Sequence, residues 1–146
     1  MSIMPVVIDT NVFIGALKGA PGATNRQVIR LCLQRRLEPA MGTTLFTEYE
    51  SVLSRRGLFI DCLLDAGERA ELLDSFLSVS RWVSVYFLWR PNLPDEADNH
   101  LVDLAAAAAS TIIISNNVRD FDGEQMRFLN INAVTPGDFM ANWEMD

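Results

Sequence analysis

The apolar run Ile3-Met4-Pro5-Val6-Val7-Ile8 stops at Asp9-Thr10-Asn11, after which Val12, Phe13, Ala16 and Leu17 recur at helical spacing. A short continuous run of this kind reads as a strand buried on both faces, and the change of period marks its passage straight into a helix. The alternation continues along the chain. Val28, Leu31 and Cys32 predict a helix over about 24–36, and Glu38-Pro39-Ala40-Met41 reads as a short strand or sheet edge ended by Gly42. Thr43 or Thr44 can cap a helix to about Arg56, striped by Leu45, Tyr49, Val52 and Leu53, with another helix over about 68–79. The segment 82–87 is β-like and 90–94 is a loop. A helix over about 96–109 follows, then a strand at 111–114, a short strand at 131–134 and a closing helix after Pro136-Gly137. Strands alternating with helices predict a parallel sheet covered on both faces.

In such a sheet, ligands collect outside the carboxyl ends of the strands, so Asp9 stands where chemistry is expected. The plainer reading is that Asp9 caps the following helix. Glu48 borders the apolar stripe of its helix, whereas Glu50 points to solvent; a carboxylate there needs a cation, a metal or an arginine as partner. Asp95, Glu96 and Asp98 open the 96–109 helix, where Asp95 and Asp98 can act as a capping box, although capping does not use all three. Ser115-Asn116-Asn117-Val118-Arg119-Asp120 leaves the carboxyl end of the 111–114 strand, in the crevice where Asp9 emerges.

Carboxylates converging in one crevice repel each other unless a cation neutralises them. All-oxygen ligation favours Mg²⁺ or Mn²⁺ over zinc, which would call for His or Cys. The only histidine, His100, reads as a helix-surface residue without a general-base role. No glycine-rich phosphate loop is present, which argues against a kinase or GTPase.

With 146 residues the chain fits one domain, 1–146, and Cys32 and Cys62 read as buried free thiols. No apolar run reaches membrane-spanning length and the first residues lack a signal-peptide pattern, so a cytoplasmic protein is expected. A net charge of −7 argues against coating nucleic acid through the general field. The sum conceals +3 over residues 1–56 and −10 over residues 57–146. Arg26, Arg30, Arg35, Arg36, Arg55 and Arg56 can therefore form a local surface for phosphates, or simply a solvated helix face.

Taken together, Val6 to Ile14 with its Asp-Thr-Asn, Glu48 to Leu53, Asp98 to Ala105, and Ile112 to Asn117 resemble the PIN-domain family in order and spacing. The likeness is to its single-domain bacterial members, the toxin components of toxin-antitoxin pairs similar to VapC-type ribonucleases; Val134 to Phe139 matches their closing strand and helix. The resemblance implies a three-layer α/β/α sandwich with a central, mostly parallel sheet, and a Mg²⁺- or Mn²⁺-dependent endoribonuclease that hydrolyses RNA. It also implies an antitoxin protein as partner and makes a homodimer plausible. By position, Asp9, Glu48 and Asp98 match its first three acids, with Asn11 and Ser115 as polar supports.

The chain departs from the family pattern at Asn117, where an Asp is usual. Asp120 can substitute as the fourth catalytic and metal-binding acid, and Asp103, about 140° around its helix from Asp98, is a weaker substitute. Arg26, Arg30, Arg55 and Arg56 are candidates to guide RNA backbone. Two other readings remain: a PIN-like module that has lost catalysis through Asn117 and acts by RNA or protein binding, and an aspartate-nucleophile phosphatase. The phosphatase asks for a second acid two residues after the first, where this chain has Asn11.

Overall fold

The computed structural model describes residues 3–19, 23–85, 99–121, 126 and 129–145, with the backbone alone at 99, 120, 144 and 145. β1 (Met4–Ile8) emerges from solvent and becomes wholly buried by Val6. It is followed by α1 (Thr10–Lys18), α2 (Thr24–Leu33), β2 (Leu37–Met41), α3 (Thr43–Leu53), a 3-10 turn over Arg56–Phe59 and α4 (Ala66–Ser78). Then come β3 (Arg81–Trp82), α5 (Asn99–Ala107), β4 (Ile112–Ile114), a 3-10 turn over Val118–Asp120, β5 (Asn132–Val134) and α6 (Pro136–Met145). The expected helix start at 96–98 and the strand residues 86–87 lie outside the described residues.

The five strands pair in the order β3-β2-β1-β4-β5, and every pairing is parallel. The chain therefore winds outward from β1 in one direction as far as β3, then returns through α5 to β4 on the other side of β1. Right-handed crossovers place helices of opposite winding on opposite faces, giving the three-layer α/β/α sandwich. α5 packs across β1, β2 and β4, while α2 packs on β2, α1, α4 and α6.

β2 is an interior strand, not an edge, yet its proline is accommodated. Pro39 pairs with Val6 of β1, while β3 reaches only Ala40 and Met41, so at Pro39 the far side of β2 has no ladder partner to lose. β3 is fixed by Arg81, which donates from Nε to Glu38 at 2.8 Å and from a guanidinium nitrogen to the Ala108 carbonyl at 2.8 Å.

α2 ends earlier than its apolar pattern suggests. Arg35 takes φ 61°, and the Arg36 N–H returns to the Leu31 carbonyl at 2.9 Å, closing a Schellman turn. α5 ends identically, with Ala109 at φ 56° and the Ser110 N–H on the Ala105 carbonyl at 2.9 Å. Neither turn carries the glycine that usually marks it.

The core beneath the crevice is aromatic. Phe13 of α1, Tyr49 of α3 and Phe76 of α4 are fully buried, with ring centroids 5.3 to 5.8 Å apart. Tyr49 also donates its hydroxyl hydrogen to the Ile8 carbonyl at 2.8 Å, tying α3 to the tip of β1. Burial and the neighbouring Asp9 carboxylate hold this phenol well above its ordinary pKa.

Candidate active site

The winding reverses between β1 and β4, and in an open α/β sheet the crevice at such a switch point is the usual ligand position. Asp9 leaves the tip of β1 there, and Ser115 the tip of β4. The two tips are tied by the Asp9 N–H on the Ile114 carbonyl at 3.0 Å.

Asp9 stands at the N-cap of α1, but its side chain makes no capping bond, and it is only 6% exposed. Its carboxylate is held from β4 instead: Ser115 Oγ donates to Oδ2 at 2.8 Å, and Asn11 Nδ2 donates to the same oxygen at 3.3 Å. Ser115 Oγ in turn accepts from Asn11 Nδ2 at 3.3 Å and from the Asn117 N–H at 3.0 Å. Asn117 thus supports the site through its backbone. The Asn116 N–H donates to Asn11 Oδ1 at 3.1 Å, and Asn116 Nδ2 to Asn25 Oδ1 at 3.1 Å, so the start of α2 braces the same loop. Gly15 makes that brace possible, since a Cβ there would lie 2.3 Å from Asn25 Nδ2.

Glu48 reaches the crevice from α3. Its Oε1 accepts from Thr10 Oγ1 at 2.9 Å, and the same hydroxyl lies 3.5 Å from Asp9 Oδ1, so one threonine spaces the two acids. Glu48 Oε2 meets His100 Nε2 at 2.8 Å. His100 is therefore not the surface residue its sequence position suggested. Its side chain is 17% exposed and forms part of the site's wall, because α5 packs against α3. Glu48 likewise has a histidine, not an arginine, as its direct partner, although the charge of Arg55 reaches it.

The two acids sit in opposite electrostatic states. Burial raises the Asp9 pKa above the ordinary carboxylate value, with Glu48 adding to the rise and the Ser115 hydrogen bond only partly opposing it. The His100 hydrogen bond lowers that of Glu48, aided by Thr10. Asp9 is thus a buried carboxylate whose charge is not balanced, beside one that is balanced. An all-oxygen pair with surplus negative charge fits a hard divalent cation. Among the described residues no cluster of three or more His, Cys, Asp or Glu forms a cage for such an ion.

Asp98 lies outside the described residues, as do Asp95 and Glu96. Asp120 ends the 3-10 turn after β4, and only its backbone is described. Asp103 is buried on α5, 4% exposed. Arg30, Arg55 and Arg56 are exposed, and Arg26 is half-buried with its Nε donating to the Ala16 carbonyl at 2.6 Å. Arg36 lies over the Trp143 ring at 5.4 Å. Sequence reasoning missed Thr10, Asn25 and His100 as members of the site. Thr10 was visible inside the Asp-Thr-Asn triplet, but nothing local announced the other two, whose partners are 91 and 52 residues away.

A model of the PIN domain matches residues 5–119, most of the chain and every element that builds the crevice from β1 to the turn after β4. The chain belongs to the PIN domain family. Among curated proteins no sequence matches it. Among solved structures, the PIN fold seen here is similar to a chain in the crystal structure of VapBC2 from Rickettsia felis bound to a DNA fragment from their promoter. That similarity has a TM-score of 0.61 at 15% identity and covers 90% of this chain and 98% of the other. No helix among the described residues of this PIN domain is long and apolar enough to cross a membrane.

Proposed function

We propose that this PIN domain is a Mg²⁺- or Mn²⁺-dependent endoribonuclease and the toxin component of a toxin-antitoxin pair. The observation that carries the reading is the pairing of Asp9 with Glu48 across Thr10 at the switch point, one acid unbalanced and the other held by His100. Asp9 and Glu48 would hold the cation, joined by Asp98 and Asp120. The cation supplies activation of water for attack on the phosphodiester and stabilisation of the charge that develops on phosphate and leaving oxygen. The chain's own part is positioning. Ser115 and Asn11 fix the Asp9 carboxylate, Thr10 sets its spacing from Glu48, and His100 keeps Glu48 ionised and aimed. No side-chain nucleophile is needed. Single-stranded or looped RNA is the favoured substrate, because a phosphate has to reach a carboxylate that is only 6% exposed, which a flexible strand does more readily than a duplex.

An antitoxin partner is supported by likeness to a fold found in a VapBC2 complex. A second reading, a binding module without catalysis, draws on Asn117, which offers only its backbone N–H to Ser115. Incubating the purified protein with single-stranded RNA, with Mg²⁺, with Mn²⁺ and with EDTA, separates the two. Cleavage that requires the metal and is lost in Asp9→Asn supports the nuclease; tight RNA binding without cleavage under any metal supports the module.

A further inference from the structure

Beside the acid pair, on the side away from β4, the described residues form a cavity of about 460 Å³ outside the carboxyl ends of β2 and β3. Its walls are the opening turn of α3, the segment 82–85 and a face of α5 that carries His100. The volume suits a small planar ligand, since pockets for such molecules run about 300–1,000 Å³.

Three features of the lining converge on one chemistry. Trp82 is 52% exposed, yet Phe46 meets it in a T-shaped contact at 5.5 Å, so the indole is steadied while much of its surface stays open. α3 begins at Gly42, which has no side chain to cap it, and has no acid in its first turn, so its free N–H groups and the exposed Thr43 and Thr44 hydroxyls open on the cavity without an internal anion. His100 belongs to both places: its ring lines the cavity and its Nε2 lies 2.8 Å from Glu48. The other nitrogen, Nδ1, is buried and has no hydrogen-bond partner among the described residues.

We propose that this cavity is a nucleobase subsite, in which Trp82 stacks one unpaired base of the RNA next to the phosphate held at the acid pair, and the α3 N-terminus receives the neighbouring phosphate. The proposal rests on the nuclease reading and adds a substrate contact to it. An indole face takes any base, so the subsite selects for an unpaired nucleotide before it selects for sequence. Because stacking on an indole is tolerant of sequence, single-stranded oligoadenylate serves as the probe.

The test uses the full chain carrying Asp9→Asn, so that binding is read without cleavage. Anisotropy titrations compare labelled single-stranded oligoadenylate with an abasic oligomer of equal length. Adding Trp82→Ala should weaken oligoadenylate binding roughly 5- to 100-fold and leave the abasic oligomer unchanged, whereas Trp82→Phe should restore most of the loss. Thr44→Asp places an anion where the helix dipole welcomes it, so it should keep or raise the melting temperature while weakening both oligomers. These opposite signs distinguish a nucleotide site from a damaged fold. Oligoadenylate binding within twofold in Trp82→Ala, or equal losses for both oligomers, overturns the subsite. Metal-dependent RNA cleavage by the wild type is measured alongside: if it persists while Trp82→Ala is neutral, only the subsite falls, and if the protein neither binds nor cleaves RNA, both readings fall.

Discussion

At the scale of single residues, the crevice carries two carboxylates with opposite effects on stability. Because the Asp9 pKa is raised in the folded protein, the folded state holds its proton to a higher pH than the unfolded chain does, and stability is lost as pH rises through the folded value. Glu48 runs the other way: its folded pKa is lowered, so it stabilises above the ordinary value of 4.5 and this contribution is lost as pH falls through the folded one. Asp9→Asn should therefore stabilise the metal-free protein at pH 7, an advantage that vanishes below pH 3.8, the ordinary value for the acid. Glu48→Gln should destabilise at pH 7, with the difference closing in acid. Thermal melts across pH check both signs; a lower neutral-pH melting temperature for Asp9→Asn would mean that Ser115 and Asn11 need the ionised carboxylate more than burial penalises it. Millimolar Mg²⁺ or Mn²⁺ should raise the wild-type melting temperature and leave that of Asp9→Asn nearly unmoved, because a ligand stabilises only the state that binds it.

At the scale of elements, placing Glu48 depends on the register of α3, which Tyr49 sets through its hydrogen bond to the Ile8 carbonyl and its ring in the Phe13–Phe76 cluster. Tyr49→Phe keeps the ring but leaves that carbonyl without its partner. A loss of about 1–2 kcal/mol is expected, with a fall in RNA cleavage larger than a neutral surface substitution gives. Denaturant melts and initial rates measure the two effects. Ala109→Gly tests a different feature, the left-handed turn closing α5. Replacing Ala at φ 56° should stabilise by about 0.5–1 kcal/mol, the relief of strain exceeding the extra entropy of glycine in the unfolded chain. The same turns mark the limit of the sequence as a guide to structure. Burial runs and helical periods located α1 to α6 and the strands β1, β2, β4 and β5 because hydrophobic spacing is local, whereas β3 is only Arg81–Trp82 and not the longer β-like run that begins at Trp82. The ends of α2 and α5 were missed because Arg35 and Ala109 carry no turn signal, and the interior place of β2 was hidden by Pro39. For the crevice, the neighbouring places of Asp9 and Glu48 were legible from a strand tip and from the edge of an apolar stripe. The role of His100 was not, because a contact between α3 and α5 is decided by packing across the sheet.

At the scale of the whole molecule, the proposed RNA substrate has to approach an acidic protein with a net charge of −7. The general field repels it, so any attraction must come from local cations near the crevice. Arg55 is one: it is exposed and its charge reaches Glu48. Arg30 and Arg56 are exposed, while Arg26 also donates from Nε to the Ala16 carbonyl, so replacing it would remove a hydrogen bond of the fold as well as a charge. Neutralising Arg30, Arg55 and Arg56 together should weaken RNA binding and flatten its dependence on salt, the logarithmic slope falling by about 0.7 for each phosphate that no longer meets a cation. Titrations over a range of salt concentrations read this directly, and an unchanged slope would return these arginines to a solvated surface. The proposed activity also bears on life inside a cell. If the protein takes unpaired RNA without strong sequence selection, as proposed, it would act on many transcripts, and its host would need a partner that silences it. Induced expression of the wild type without that partner should slow growth, and Asp9→Asn at equal protein level should relieve it. Copurification from its native host should then yield a second protein that suppresses cleavage in the RNA assay. Equal growth of wild type and Asp9→Asn, at matched expression and with cleavage demonstrated in vitro, would leave the nuclease standing and remove the toxin.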